Sequence, residues 1–220
     1  MKSIALALAF ITLLSIPRAS SSWAAEQGNL SMDNATRTRI VTAAVAAAAK
    51  RGGEWQAADV GVEPAEIPGL DRNGCIFMVA INNTHVKDFI LLYYALLPDG
   101  RIAGADITGN AAAATVLRVC SQQADANWWA DVVACLSEDA TGVMPVIYGV
   151  PNVFADLVRA GLDVKPPTLA RSEGATTVEF FARPLELQWP LHIKATLPDQ
   201  GDLMIIVKRL RPPGPRDDGE

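Results

Sequence analysis

The chain has 220 residues, of which 50% are hydrophobic and 20% are charged, and its formal net charge is −5. This is the composition of a globular protein that is long enough to bury a substantial core. Basic residues cluster only near the end, at Lys208-Arg209 and Arg211. Nucleic acids and anionic membrane surfaces bind through clustered basic residues, so we predict neither as a partner.

Residues 1–24 have the layout of a secretory signal peptide. Lys2 supplies the positive start, residues 4–14 are apolar, and small residues precede a cleavage site after Ala24. The apolar stretch of about eleven residues is well short of the roughly twenty that span a membrane as a helix. The sequence therefore predicts a secreted or periplasmic protein with no stable membrane insertion after cleavage.

The rest of the chain is predicted to have the α+β fold class. An antiparallel sheet packs against an N-terminal helix and a disulfide-stapled helical hairpin. We expect one domain over residues 25–211, with two lobes at 33–140 and 141–211 as the alternative. The tail at 212–220 is rich in proline and aspartate and is predicted to be disordered.

The first helix is predicted to run from Asp33 or Asn34, either of which can cap it, to about Arg51. Gly52 then supplies the left-handed residue that ends many helices. The helix is rich in alanine, so it is slim and can lie close to a sheet.

Two continuously apolar stretches follow, at 75–81 and 89–97. Uninterrupted apolar strands are typical of a sheet that is covered on both faces. Pro98-Asp99-Gly100 makes a tight turn into a further strand at 101–107. We expect these strands to form a meander, with the first helix on one face and the helical hairpin on the other.

The hairpin is predicted from apolar residues that recur every three or four positions at 110–122 and 125–136. Two antiparallel helices joined so tightly can bring Cys120 and Cys135 together, and export implies an oxidising compartment. The sequence therefore predicts a Cys120–Cys135 disulfide. Cys75 is then predicted to be either a small buried thiol or a thiol that undergoes disulfide exchange with a partner protein.

The last third of the chain is predicted to hold a short helix and three strands. The helix begins at Pro151 and ends at Gly161, and residues 165–174 are read as a connecting loop because they contain Pro166-Pro167 and no apolar periodicity. The predicted strands are at 176–183, 186–197 and 203–210.

One short sequence recurs with small changes. Ala95-Leu96-Leu97-Pro98-Asp99 and Ala195-Thr196-Leu197-Pro198-Asp199 both end a predicted strand and enter a turn that contains glycine. A helix precedes antiparallel strands in each half, so one interpretation is two small helix-plus-sheet units that arose by duplication. The alternative is chance similarity between two turns of the same kind.

The sequence lacks the common motifs of catalysis. It has no phosphate-binding Gly-Lys-Ser/Thr loop, no Gly-x-Gly-x-x-Gly, no Gly-x-Ser-x-Gly, no His-Glu-x-x-His and no Cys-x-x-Cys. Asp125, Asn127 and Asp131 are spaced as in a calcium loop, but Ala130 stands where the sharp turn needs glycine. Asp125 is read as a helix cap instead. We therefore predict no cofactor and no metal site.

Two histidines are the candidate catalytic bases, because a near-neutral pKa is what allows a side chain to activate a hydroxyl or thiol. His85 lies in a polar loop between the two apolar strands, and His192 lies on the polar face of a strand with Lys194. Glu179 is a further candidate for that polar face. The simpler interpretation of either histidine is an exposed polar residue.

Trp128-Trp129 is the most prominent local feature, because helix neighbours point about 100° apart. If Trp129 faces the core, Trp128 lies at the boundary beside Cys135 and can present an aromatic surface to a ligand or partner. Packing of both rings in the core is the alternative.

Three classes of function fit these observations. The favoured one is an exported, non-catalytic binding or accessory domain whose ligand is a protein, a peptide or a small molecule. The first alternative is a secreted hydrolase or transferase with an unfamiliar site that uses His85 or His192. The second is a structural subunit of an envelope assembly.

Overall fold

The structure is a computed structural model, and it describes residues 32–50, 52, 55–65, 67, 70–82, 91–120, 124–138, 140, 143–145, 151–184 and 190–210. The predicted signal peptide, His85 and the predicted tail lie outside these residues. The described residues from Asn34 onward belong to one compact unit.

The described chain has runs of antiparallel strands separated by helices, as expected for the α+β class. The helices are α1 (Asn34–Lys50), α2 (Asn110–Cys120), α3 (Ala126–Leu136) and α4 (Pro151–Arg159). The strands are β1 (Val60–Pro64), β2 (Ile76–Asn82), β3 (Leu91–Leu96), β4 (Ile102–Ala103), β5 (Val143–Pro145), β6 (Thr168–Ser172), β7 (Ala175–Pro184), β8 (Leu191–Pro198) and β9 (Met204–Arg209). The α+β fold is confirmed, with two sheets.

The first sheet has the order β1-β2-β3-β4, and all its pairs are antiparallel. Phe77 and Met78 point to opposite faces of β2, and both are buried. Helix α1 packs on β1 and β2, where Ala44 and Ala48 allow close approach, and α3 contacts β3. The prediction that these apolar strands are covered on both faces is confirmed.

The last strand of this sheet is shorter than predicted. Only Ile102–Ala103 pairs with β3, instead of residues 101–107. Gly104 has a φ of +97°, and a Cβ there would lie 2.8 Å from Cδ1 of Tyr94, so only glycine suits this position. The chain turns sharply at this glycine, and the strand ends.

The helical hairpin lies between the two sheets. Asp125 caps α3 as predicted, because its carboxylate accepts a hydrogen bond from the Trp128 N–H over 2.9 Å. Helix α3 contacts β3 of the first sheet and β7 of the second. The hairpin therefore contributes to a core that both sheets share.

The predicted cysteine pairing is wrong. The disulfide joins Cys75 to Cys120, whose Cα atoms are 6.6 Å apart, and Cys135 is free and buried. Cys120 is the last residue of α2, whereas Cys135 lies near the far end of α3, nine residues or about 14 Å beyond Ala126, the first residue of that helix. A disulfide cannot span that distance. The side chain of Asn73 donates to the Cys120 carbonyl over 2.8 Å and holds the segment before β2 against the end of α2.

The second sheet has five strands. Strands β7, β8 and β9 follow one another, while β5 and β6 pair with opposite ends of β7. The loop predicted at 165–174 is wrong, because Thr168–Ser172 forms β6. A two-residue turn through Gly174, with a φ of +83°, returns the chain along β7. The two prolines precede β6 and do not interrupt it.

Candidate functional site

The second sheet has one buried face and one open face. Ile193 and Ala195 of β8 are fully buried, while His192 and Lys194 alternate with them and point outward. The predicted polar face of this strand is confirmed. The register places Glu179 of β7 opposite Lys194 and Phe181 opposite His192, so these four side chains share the outer face.

A cavity of about 410 Å³ lies on this outer face. Its floor is formed by side chains of β7 and β8, and its wall by the loop after α4. The lining residues are Gly161, Leu162, Asp163, Lys165, Pro166, Thr168, Glu179, Phe181, His192 and Leu210. Two buried residues, Leu162 and Val164, anchor the loop, and the Leu162 N–H donates to the Leu157 carbonyl over 3.0 Å. The wall is therefore built into the fold.

Glu179 is the charged centre of the cavity floor. Its Oε1 lies 2.9 Å from Nζ of Lys194, and its Oε2 lies 3.6 Å from Nε2 of His192. The hydrogen bond from Lys194 is the main reason why the pKa of Glu179 is lowered. Burial opposes it as the next largest effect, and the electrostatic interactions with Lys194 and His192 lower the pKa further. Glu179 is therefore an anion at neutral pH.

Two stacked rings lie beside this carboxylate. The rings of Phe181 and His192 are stacked, with centroids 4.9 Å apart and planes at 22°. The His192 side chain is 31% exposed, and both rings line the cavity. At the rim, Lys165 pairs with Asp163 over 3.0 Å. The site thus combines a stacked aromatic pair with one central carboxylate.

Trp128 does not form a surface, so that prediction is wrong, and the alternative, packing of both rings in the core, is correct. The residue is 2% exposed, and its Nε1 donates to the Leu70 carbonyl over 2.9 Å. Trp129 is 3% exposed. The physical reason is that α3 lies between two sheets, so residues on both sides of the helix are covered.

The cysteines provide no accessible thiol among the described residues. Cys75 is bonded to Cys120, so the prediction of a free Cys75 is wrong. Burial raises the pKa of the Cys135 thiol strongly, and the charge of Asp131 adds to that rise. Burial, followed by the charges of Cys135 and Asp131, also raises the pKa of Tyr93 to about 12. Cys135 belongs to the core and the partly buried Tyr93 packs against it, and neither group is suited to nucleophilic chemistry.

Sequence reasoning located part of this site and missed the rest. Strand alternation places His192 and Lys194 on one polar face, and Glu179 is a further candidate for that face; the register of β7 and β8 brings the three together. Phe181 was missed, although its place two residues after Glu179 puts it on the same face of β7. No local sequence pattern predicts that residues 161–166 form a wall of the cavity, because their position depends on how α4 is connected to the second sheet.

The comparisons with known proteins place this chain in no group. No family model matches it, and neither the curated proteins nor the solved structures include a significant match. Within the residues that the structure describes, no helix is both long and apolar enough to cross a membrane.

Proposed function

We propose that this protein is an exported, non-catalytic binding or accessory protein whose ligand site is the cavity on the outer face of the second sheet. The observation that carries the proposal is the pairing of the stacked Phe181 and His192 rings with the ionised Glu179 inside one cavity. Ligand sites are typically concave and mostly apolar, with a few polar groups that orient the ligand.

The chemistry of the floor indicates the class of ligand. A planar or apolar group fits against the rings of Phe181 and His192, and a cation or hydrogen-bond donor fits Glu179. The cavity volume of about 410 Å³ suits a small molecule or one to two side chains of a peptide.

The disulfide supports the exported location. Cys75 and Cys120 are bonded within the fold, and such structural disulfides persist in oxidising compartments. Together with the predicted signal peptide, this favours a secreted or periplasmic protein.

Binding is tested with two probes that share a ring and differ in charge, benzylamine and benzoate. We expect benzylamine to shift the amide NMR signals of β7 and β8, and Glu179→Gln to weaken that binding about tenfold, since a charge-assisted hydrogen bond is lost. The control is Glu63→Gln, which changes an exposed carboxylate on β1 of the other sheet. Stronger binding of benzoate, or shifts only outside the cavity, would contradict the proposal.

The hydrolase or transferase alternative depends on His192. Glu179 lies 3.6 Å from its Nε2, and a carboxylate so placed can orient an imidazole that acts as a base. Among the lining residues described, Thr168 supplies a hydroxyl and none is Ser or Cys. If this alternative holds, His192→Ala abolishes turnover of a simple ester such as p-nitrophenyl acetate. Equal turnover in both proteins excludes His192 as the base, while His85 stays a predicted candidate.

A structural subunit of an envelope assembly is the remaining alternative. It is favoured by the exposed apolar residues of β9, of which Met204 and Ile206 are the most exposed.

A further inference from the structure

Strand β9 is an apolar edge of the second sheet. It pairs with β8, and no other described strand pairs with it. Met204 and Ile206 are 58% and 65% exposed, and Val207 on the opposite face is 41% exposed. Natural proteins usually protect such an edge with charges or a covering segment, because an open edge pairs readily with another strand.

The backbone of β9 directs hydrogen-bonding groups away from the sheet. At the end of the β8–β9 ladder, the Leu210 N–H donates to the Pro190 carbonyl over 3.0 Å. The N–H and C=O groups of successive residues point to opposite sides of a strand, so those of Ile205, Val207 and Arg209 point outward. These groups are placed to accept an added strand.

The start of this edge is held in place before any partner arrives. Arg118 of α2 donates to the carbonyl of Pro198 over 3.1 Å and also to the carbonyl of Gly201, both in or beside the turn that leads into β9. A preorganised edge loses little conformational entropy on pairing.

The two ends of β9 carry opposite charges. Exposed Asp202 precedes the strand, exposed Lys208 and Arg209 end it, and the four residues from 204 to 207 are apolar. Asp202 and Lys208 of one chain are six residues apart, or about 20 Å at 3.3 Å per residue, so they do not pair with each other. A strand of this kind is complementary to a second copy of itself that runs antiparallel.

We infer that two copies of this chain pair through antiparallel β9 strands about a two-fold axis at Ile206. Ile205 of each copy then lies opposite Val207 of the other, and their outward N–H and C=O groups bond each other. Met204 lies opposite the aliphatic stem of Lys208, while Asp202 and Lys208 of different copies are diagonal neighbours on the same face. The second sheets of the two copies become one continuous sheet.

The pairing does not depend on the proposed ligand site, because it uses the edge of the sheet and not the cavity. A contact along one edge strand belongs to the weak class of interfaces, below about 1,200 Å². The dimer is therefore expected to form reversibly as the protein concentration rises.

Sedimentation velocity of the purified protein from about 10 μM to about 1 mM covers the range in which weak interfaces associate. We expect a monomer–dimer equilibrium that Ile206→Lys abolishes, because two like charges then meet at the axis. Val158→Lys, at an apolar residue of α4 that is 49% exposed, is the matched control and leaves the dimer intact. A wild-type monomer throughout this range, or a dimer that Ile206→Lys leaves unchanged, overturns the inference.

A charge exchange tests the antiparallel register. Asp202→Lys and Lys208→Glu are each expected to weaken self-association about tenfold, because two attractive contacts become repulsive. A mixture of the two variants restores the dimer as a heterodimer, since both diagonal pairs are then attractive. No restoration on mixing overturns the register. A wild-type monomer in which the outward amides of Ile205, Val207 and Arg209 are protected from hydrogen exchange also overturns it, and indicates that another segment of the same chain covers the edge.

Discussion

The two sheets are built alike and covered differently. Strands β1–β4 and β6–β9 each follow a helix and each form an antiparallel meander, and the recurring Ala-x-Leu-Pro-Asp sequence ends the third strand of both. Both faces of the first sheet are buried, under α1 and α3. The second sheet packs one face on α3 and leaves the other face and the β9 edge exposed. Duplication of a helix-plus-sheet unit stays a prediction.

This difference in coverage explains which sheet carries charged and polar side chains. In the first sheet, the faces of β2 and β3 are filled with apolar side chains, as a doubly covered sheet requires. The open face of the second sheet can instead hold Glu179, Lys194 and His192, because water solvates the polar groups that have no partner within the protein. Changes on covered faces should therefore affect stability, and changes on the open face should affect binding.

The disulfide should give the largest effect, because it ties the first sheet to α2. It closes a loop of sequence separation 45, so replacing Cys75 and Cys120 together by alanine is expected to lower the free energy of unfolding by about 4 kcal/mol. Urea denaturation measures the loss. Mapping of non-reduced peptides checks the pairing, and a peptide that joins Cys120 to Cys135 would contradict it.

Adjacent residues on β8 test the contrast between the two faces directly. Ile193→Ala on the buried face is expected to cost about 3 kcal/mol of stability, because it opens a cavity in the core. His192→Ala on the open face should change stability by less than about 0.5 kcal/mol. Thermal or urea unfolding measures both variants. Equal losses would show that the outer face is covered after all.

Substitutions of the two neighbouring tryptophans separate the contribution of a hydrogen bond to stability from the contribution of ring burial. Trp128→Phe leaves the buried Leu70 carbonyl without its donor and is expected to cost about 2 kcal/mol. Trp129 is the matched control, since its buried Nε1 is the one side-chain nitrogen or oxygen found without a partner among the described core residues. Trp129→Phe loses ring contacts but no such bond, so it should cost less. A larger loss for Trp129→Phe in urea unfolding would refute this assignment.

The smallest effect concerns Glu179 and pH. Its pKa in the folded protein is lowered from the ordinary 4.5, mainly by the hydrogen bond from Lys194. The stabilisation is present above the ordinary value and is lost as the pH falls through the lowered one. Because this pair is partly exposed, we expect only a few tenths of a kcal/mol. Stability measured between about pH 6 and about pH 3 should fall less steeply in Lys194→Ala than in wild type. Parallel curves for the two proteins would show that the Glu179–Lys194 pair does not cause the pH dependence of stability.

The sequence predicted the helices, most strands and the orientation of β8 correctly. Alternation between Ile193 and its neighbours identifies the open face of that strand, and the continuous apolar run through Phe77 identifies a doubly covered one. The strand β6 was missed because Pro166-Pro167 suggested a loop. Its partner β7 lies two residues away across Gly174, but nothing within the five residues of β6 alone requires pairing.

The sequence by itself determined the helices, most of the strands and the apolar faces of strands such as β2 and β8, because these properties depend on residues a few positions apart. Tertiary structure decided that Cys75 and not Cys135 bonds Cys120, that both sides of α3 are covered over Trp128, and that Glu179, Phe181 and His192 share a cavity with the loop after α4. The physical reason is that these features require segments distant in sequence to meet in space. Which segments meet is decided by the packing of two sheets on one hairpin, and no local periodicity encodes it.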